Sequence, residues 1–220
     1  MCYHTSNPQS EVLKQFVGSN IKVLPYPETH CANGFEQPLL PVLTNRESDT
    51  VQPVTWDFTP PGQLFSYTLL NARCETLFQL PTWAESARER RCLVFVKGFF
   101  EWKKVSPTNK SKKDPYYIDR TDTGVFTMGG IWKEVADGRG SFKKRMAIIT
   151  TPANQLMTEL RPEVPRMPYI IERSEWGDWL DDRTTQAQLI ELMRPLPDGL
   201  LRTVKLSESP LKKKQGGTLF

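Results

Sequence analysis

Residues 90–104 read "RRCLVFVKGFFEWKK", an apolar run rich in β-branched and aromatic residues that reaches Gly98 and continues into a second aromatic run. Such composition favours strands. Three more strand-like runs follow at "DPYYIDR" (114–120), "GVFTMGGIWKEV" (124–135) and "KKRMAIITT" (143–151), separated by the turn-forming "SPTNKSKK", "TDTG" and "ADGRGS". The four together predict an antiparallel meander with basic loop tips. Upstream, "LLPVLT" and "VQPVTW" predict two further short strands. "NPQSEVLKQFVG" predicts an amphipathic helix with Asn7 as N-cap, Pro8 at the first position, and Val12, Leu13, Phe16 and Val17 on one face. Downstream, "PANQLMTEL", "SEWGDWLD" and "TTQAQLIELM" predict short helices, the first opened by Pro152. Eighteen prolines spread along the chain argue for many short strands and irregular connections. The expected fold class is α+β, a single domain in which a curved, barrel-like antiparallel or mixed β-sheet is flanked by short helices. The domain is expected to span 1–208, with 209–220 as a flexible basic tail.

At 38% hydrophobic and 25% charged residues, with no apolar run near twenty, the chain reads as a soluble globular protein. The first residues lack the basic and apolar regions of a signal peptide, so a cytoplasmic location is expected, nucleoid-associated in a bacterium or nuclear in a eukaryote. Cys2, Cys31, Cys74 and Cys92 show no C-x-x-C spacing and are expected to be free thiols. A net charge of +4 is too mild to define a nucleic-acid binder, but its distribution is uneven. One basic cluster holds Lys103, Lys104, Lys110, Lys112 and Lys113, and a second holds Arg139, Lys143, Lys144 and Arg145. Phosphate binding needs such local density, and solvated hairpin tips show it too.

Candidate chemistry lies in four places. The chain starts Met1-Cys2, and removal of Met1 would leave a cysteine with an α-amine of pKa about 7.7–8.0 beside a thiol of about 8.5. In "LLNARCETL" (69–77) strand alternation puts Asn71 and Arg73 on one face, where Arg73 can hold a phosphate. Glu101 lies between Phe100 and Trp102, where desolvation would suit it to proton transfer, unless it pairs with a nearby Lys or Arg. Trp56 and Trp102 are candidate base-stacking platforms or core residues. In "ELRPEVPRMPYII" (159–171) a rigid, proline-rich loop enters a strand and leaves Arg166 available to face a ligand.

Taken together, these stretches resemble the SRAP (SOS response-associated peptidase) family, whose members process abasic sites in single-stranded DNA. The resemblance rests on Cys2, "NARCET" (71–76), "RRCLVFVKGFFEW" (90–102) and "RMPYII" (166–171), in the family's order. It implies that the mature N-terminal Cys2 captures the ring-opened aldehyde of an abasic site as a thiazolidine. By the same resemblance Asn71 would orient the Cys2 amine and Glu101 would move protons. Arg73 would hold phosphate, and Trp56 and Arg166 would line the single-strand channel. No cofactor or membrane is implied; the partner is single-stranded DNA containing abasic sites.

Two departures from the family pattern stand out. Val164 occupies the place of a histidine two residues before Arg-Met-Pro, and Tyr3-His4 replaces Gly-Arg after the cysteine, which turns one phosphate contact into a titratable one. His4, or His30 in "YPETHCANGFEQP" (26–38), is expected to compensate as an acid or base. Three alternatives stay open: a thiol peptidase using Cys2, a non-covalent nucleic-acid-binding module, and a zinc site from Cys2, His4, His30 and Cys31, whose spacing fits no standard ligand set.

Overall fold

A computed structural model describes residues 2–59, 68–105, 113–136 and 140–211. Lys110, Lys112, Arg139, Lys212 to Lys214 and most of the expected tail lie outside the described residues. In chain order the strands are β1 (His4–Ser6), β2 (Lys22–Val23), β3 (Ala32–Asn33), β4 (Leu39–Thr44), β5 (Glu47–Trp56), β6 (Asn71–Arg73) and β7 (Arg91–Val96). They continue with β8 (Gly98–Lys104), β9 (Lys113–Arg120), β10 (Phe126–Ala136), β11 (Phe142–Pro152), β12 (Arg166–Pro168), β13 (Ile170–Ile171) and β14 (Leu201–Lys205). The helices are α1 (Ser10–Val17), α2 (Pro81–Glu89), α3 (Gln155–Leu160), α4 (Trp176–Leu180) and α5 (Gln186–Leu192).

Five strands close a mixed barrel. The order β5–β4–β7–β10–β11 is antiparallel at every step, and the ring shuts where β11 runs parallel to β5, Arg145 opposite Thr55 and Met146 opposite Trp56. Period-two alternation divides the buried side chains between two faces. Val42, Val94, Met128 and Ile148 point into one cluster with Trp56, while Leu43, Leu93, Phe95 and Ile149 join a second cluster that also takes Leu13 of α1, Trp83 of α2 and Trp179 of α4. Helices therefore cover the outside of the barrel. The fold is α+β in a single domain, as the sequence predicts.

The run over 90–104 is not one arm of a simple meander. Its first half, β7, belongs to the barrel; its second, β8, pairs with β1 and β9 in a separate sheet of order β14-β9-β8-β1-β3. The crossing occurs at Lys97, whose N–H donates to the Ser6 carbonyl at 2.8 Å. Gly98 opens β8 because the Tyr117 ring lies where a side chain would be: a Cβ there would fall 2.4 Å from Tyr117.

Local corrections follow from long-range hydrogen bonds. Asn7 does not cap α1, which begins at Ser10 after Gln9; its amide donates instead to the carbonyls of Pro27 at 2.7 Å and Leu39 at 3.3 Å. Val12 turns out to solvent, while Leu13 and Val17 are buried. Pro152 ends β11 rather than opening α3, which Asn154 caps by accepting from the Met157 N–H at 3.1 Å. The three downstream helices form as short elements, and α2 and β14 are additions that the pattern of apolar residues did not reveal. No helix among the described residues is long and apolar enough to cross a membrane.

Candidate active site

The N-terminal segment is gripped from three sides. β1 pairs with β3 through Thr5 and Ala32 and with β8 through Thr5 and Phe99, and the Tyr3 carbonyl accepts the Gly34 N–H at 2.8 Å. Asn71 adds the third hold, its Nδ2 donating to the Cys2 carbonyl at 2.9 Å. Asn71 is in turn set by β6, which lies parallel to β11 with Asn71 opposite Ile148 and Arg73 opposite Thr150. Alternation along β6 is as expected, with Ala72 buried between a half-buried Asn71 and an exposed Arg73.

Cys2 is wholly buried, and its Sγ lies 3.8 Å from the His4 carbonyl oxygen that it donates to. Burial first, and the negative charge of Glu101 second, push its thiol far above the ordinary thiol range. A thiol so held stays protonated and becomes a nucleophile only when a base takes its proton. Glu101, buried on β8, is the carboxylate whose charge acts on that thiol. It is not isolated among aromatics. The Arg161 guanidinium, carried by the residue after α3, donates from Nη1 to Glu101 Oε2 in an ion pair whose side chains are only 20% and 4% exposed.

Glu101 and Arg161 border a cavity of about 350 Å³, lined also by Tyr3, His4, Trp102 and Lys113 among others. His4 is nearly buried, meets Trp102 edge-on at 4.7 Å, and leaves its Nδ1 without a hydrogen-bond partner. Burial draws its pKa below the usual histidine value, so its imidazole is neutral near pH 7. His30 is exposed and touches the site indirectly, its ring 5.7 Å from that of Phe100. A second cavity of about 390 Å³, under α2 beside Arg46, Phe58 and Lys133, contains Arg90 but none of the candidate site residues.

Two expected site residues do not line the cavity. Trp56 is fully buried, its indole N–H donating to the Leu70 carbonyl at 2.9 Å; it is a core residue, and no face is free for stacking. Arg166 is buried and spans the sheet, donating to Glu75, to the Thr150 carbonyl at 2.6 Å and to Thr150 Oγ1 at 3.1 Å. These bonds tie β12 to β11 and to the turn after β6, and they leave little of the guanidinium to face a ligand. Of the second basic cluster, Lys144 pairs with Glu47 and Arg145 with the buried Asp57 at 2.6 Å, so those charges are already engaged. From the first cluster Lys113 reaches the cavity, and Lys104 lies 3.7 Å from Glu163. Val164 is not among the described residues that line the cavity; Arg161 is. The only signal for Arg161 in the sequence was a charge at the end of a predicted helix, just before Pro162. All four cysteines are free, and among the described residues no cluster of three His, Cys, Asp or Glu side chains is assembled to hold a metal.

A small mixed barrel with a buried cysteine, an amide that grips its backbone and a buried carboxylate beside a cleft defines a candidate cysteine-centred active site. The SOS response associated peptidase (SRAP) family model matches residues 1–209, and the chain belongs to that family. A crystal structure of a protein from Bacteroides thetaiotaomicron matches with a TM-score of 0.81 at 28% identity, covering 93% of this chain and 92% of that one. A phage-related protein from Bordetella bronchiseptica shares the fold with a TM-score of 0.73 at 21% identity, over 94% of this chain and 95% of that one. Among curated relatives, abasic site processing protein YoqW of Bacillus subtilis (strain 168) is 26% identical over 192 residues, 84% of this chain and 82% of its own. Abasic site processing protein YMR114C of Saccharomyces cerevisiae is 30% identical over 159 residues, 68% of this chain and 40% of its own.

Proposed function

We propose that the protein processes abasic sites in single-stranded DNA, capturing the lesion covalently through Cys2 once Met1 has been removed. The observation that carries this reading is that Asn71 bonds the Cys2 carbonyl while Tyr3 and His4, the residues that follow Cys2, line one cavity together with Glu101. That grip would aim the freed α-amine at the lesion.

The amine adds to the aldehyde carbon, and loss of water gives an imine. Glu101 takes the thiol proton, the sulfur adds to the imine carbon, and the ring nitrogen gains a proton, closing a five-membered thiazolidine. Alignment of the reactants supplies much of the rate. Arg73, exposed two residues beyond Asn71, and Lys113 would hold phosphates of the strand. His4, neutral and on the cavity wall, is the better placed of the two histidines to pass a proton.

The test is intact mass spectrometry before and after incubation with a single-stranded oligonucleotide carrying one abasic site. Loss of Met1 and a denaturation-resistant adduct are expected, and Cys2→Ala should form none. A wild-type protein that has lost Met1, binds the strand and yields no adduct would establish a non-covalent binding module instead.

A further inference from the structure

We infer that Arg161 is a positioning residue of the Cys2 site, holding Glu101 in one orientation near the thiol. The inference rests on the proposed crosslinking function and adds a residue that the family motifs do not point to.

The backbone of Arg161 is fixed before its side chain does anything. Its N–H closes the last turn of α3 on the Met157 carbonyl at 2.9 Å, its own carbonyl accepts the Val164 N–H at 3.1 Å, and Pro162 follows directly. From that corner the guanidinium reaches across to β8 and bonds Glu101. Its Nε lies 3.4 Å from Glu163, which Lys104 also approaches, a charge contact rather than a hydrogen bond. A planar guanidinium, whose N–H directions are fixed, orients the carboxylate it pairs with more tightly than a flexible ammonium would.

The other groups around Glu101 would not do this work. Cys2 and Tyr3 in the N-terminal segment and Tyr116 opposite it on β9 have side chains with no cationic form, and the buried His4 is neutral near pH 7. Lys113 lines the same cavity but is exposed, and Glu163 bears the wrong sign. Among the described residues, Arg161 is thus the cation bonded to this buried carboxylate. A guanidinium does not release its own proton near neutrality, so Arg161 acts through Glu101 and takes no proton itself.

The experiment is the adduct-forming rate of wild type, Arg161→Gln, Arg161→Lys, Glu101→Gln and the Arg161→Gln/Glu101→Gln pair, with a thermal melt on each. Arg161→Gln should slow crosslinking by about 100-fold through lost alignment of Glu101, with the melt unchanged and partial rescue by lysine. The paired variant should be no slower than Glu101→Gln alone, since both changes act on one group. Additive losses, or an Arg161→Lys no faster than Arg161→Gln, would make the arginine merely structural and overturn the inference. If the wild type forms no adduct, the crosslinking function falls and this role with it. A wild-type adduct formed equally fast by Arg161→Gln sinks the role of Arg161 alone.

Discussion

Cys2 and Cys92 are both sealed from solvent, and burial pushes both thiols far above the ordinary range. Their surroundings differ. Cys92 lies on β7 within the barrel, with its sulfur 2.9 Å from where a Cβ on Gly130 would sit and its carbonyl taken by the Trp179 indole at 3.0 Å. Burial is the whole cause of its shift, and it lines neither of the two cavities described above. Cys2 has the same depth but a carboxylate beside it, an amide on its carbonyl and a cavity at its neighbours Tyr3 and His4. Depth of burial alone therefore does not mark a nucleophile; a base within reach and a way in do.

The sharpest way to break this comparison is to remove each thiol in turn. Cys2→Ala should abolish the adduct with an abasic oligonucleotide, whereas Cys92→Ala should form it at the wild-type rate while costing about 1–2 kcal/mol of stability. Intact mass and a chemical melt read both, and loss of the adduct in a folded Cys92→Ala protein would contradict the assignment of Cys2. Next in size, Asn71→Ala strands the Cys2 carbonyl. Leaving such a group unpaired costs about 1–3 kcal/mol, so the crosslinking rate should drop about 10- to 100-fold. An unchanged rate would mean that the amine is aligned by something else.

Arg166→Ala tests the fold side. With the Thr150 carbonyl and Glu75 deprived of their donor, stability should fall by about 2 kcal/mol, lowering the melting temperature by about 4–8 °C. An unaltered melt would show that the buried arginine is not holding β11 and β12 together.

The smallest effect concerns alkaline pH. Both buried thiols ionise at higher pH in the folded state than in the unfolded chain, so their contribution to stability is complete below the ordinary thiol pKa of about 8.5 and is lost as pH rises above it. The melting temperature should fall progressively above that pH. Cys92→Ala and Cys2→Ala should each flatten the decline, and a slope unaffected by either would show that burial does not control these thiols.

Much of the site was legible because it is carried by short, ordered stretches. "NARCET" placed Asn71 and Arg73 on one face, and the structure alternates them around Ala72. "GFFEW" placed Glu101 among aromatics, and it is buried there. What pattern could not show was the partner: Arg161 lies sixty positions from Glu101 along the chain, and a helix end followed by proline signals a turn, not a contact. Trp56 failed as a stacking platform for a related reason. A tryptophan at a strand end reads the same whether the strand closes a barrel or ends in solvent, and here the closing pair of β5 with β11 buries it.

By itself, then, the amino-acid sequence determined the alternating strands, the free cysteines and the family to which the chain belongs, because each is written in neighbouring residues. Tertiary structure alone decided that residues 90–104 cross from one sheet to another at Lys97, that Asn7 clamps two distant carbonyls instead of capping a helix, and that of two arginines five positions apart one enters the cavity and the other the sheet. A strand's period sets which way a side chain points. Which strand comes to lie against it is set by the closure of the barrel, and that closure joins residues ninety positions apart.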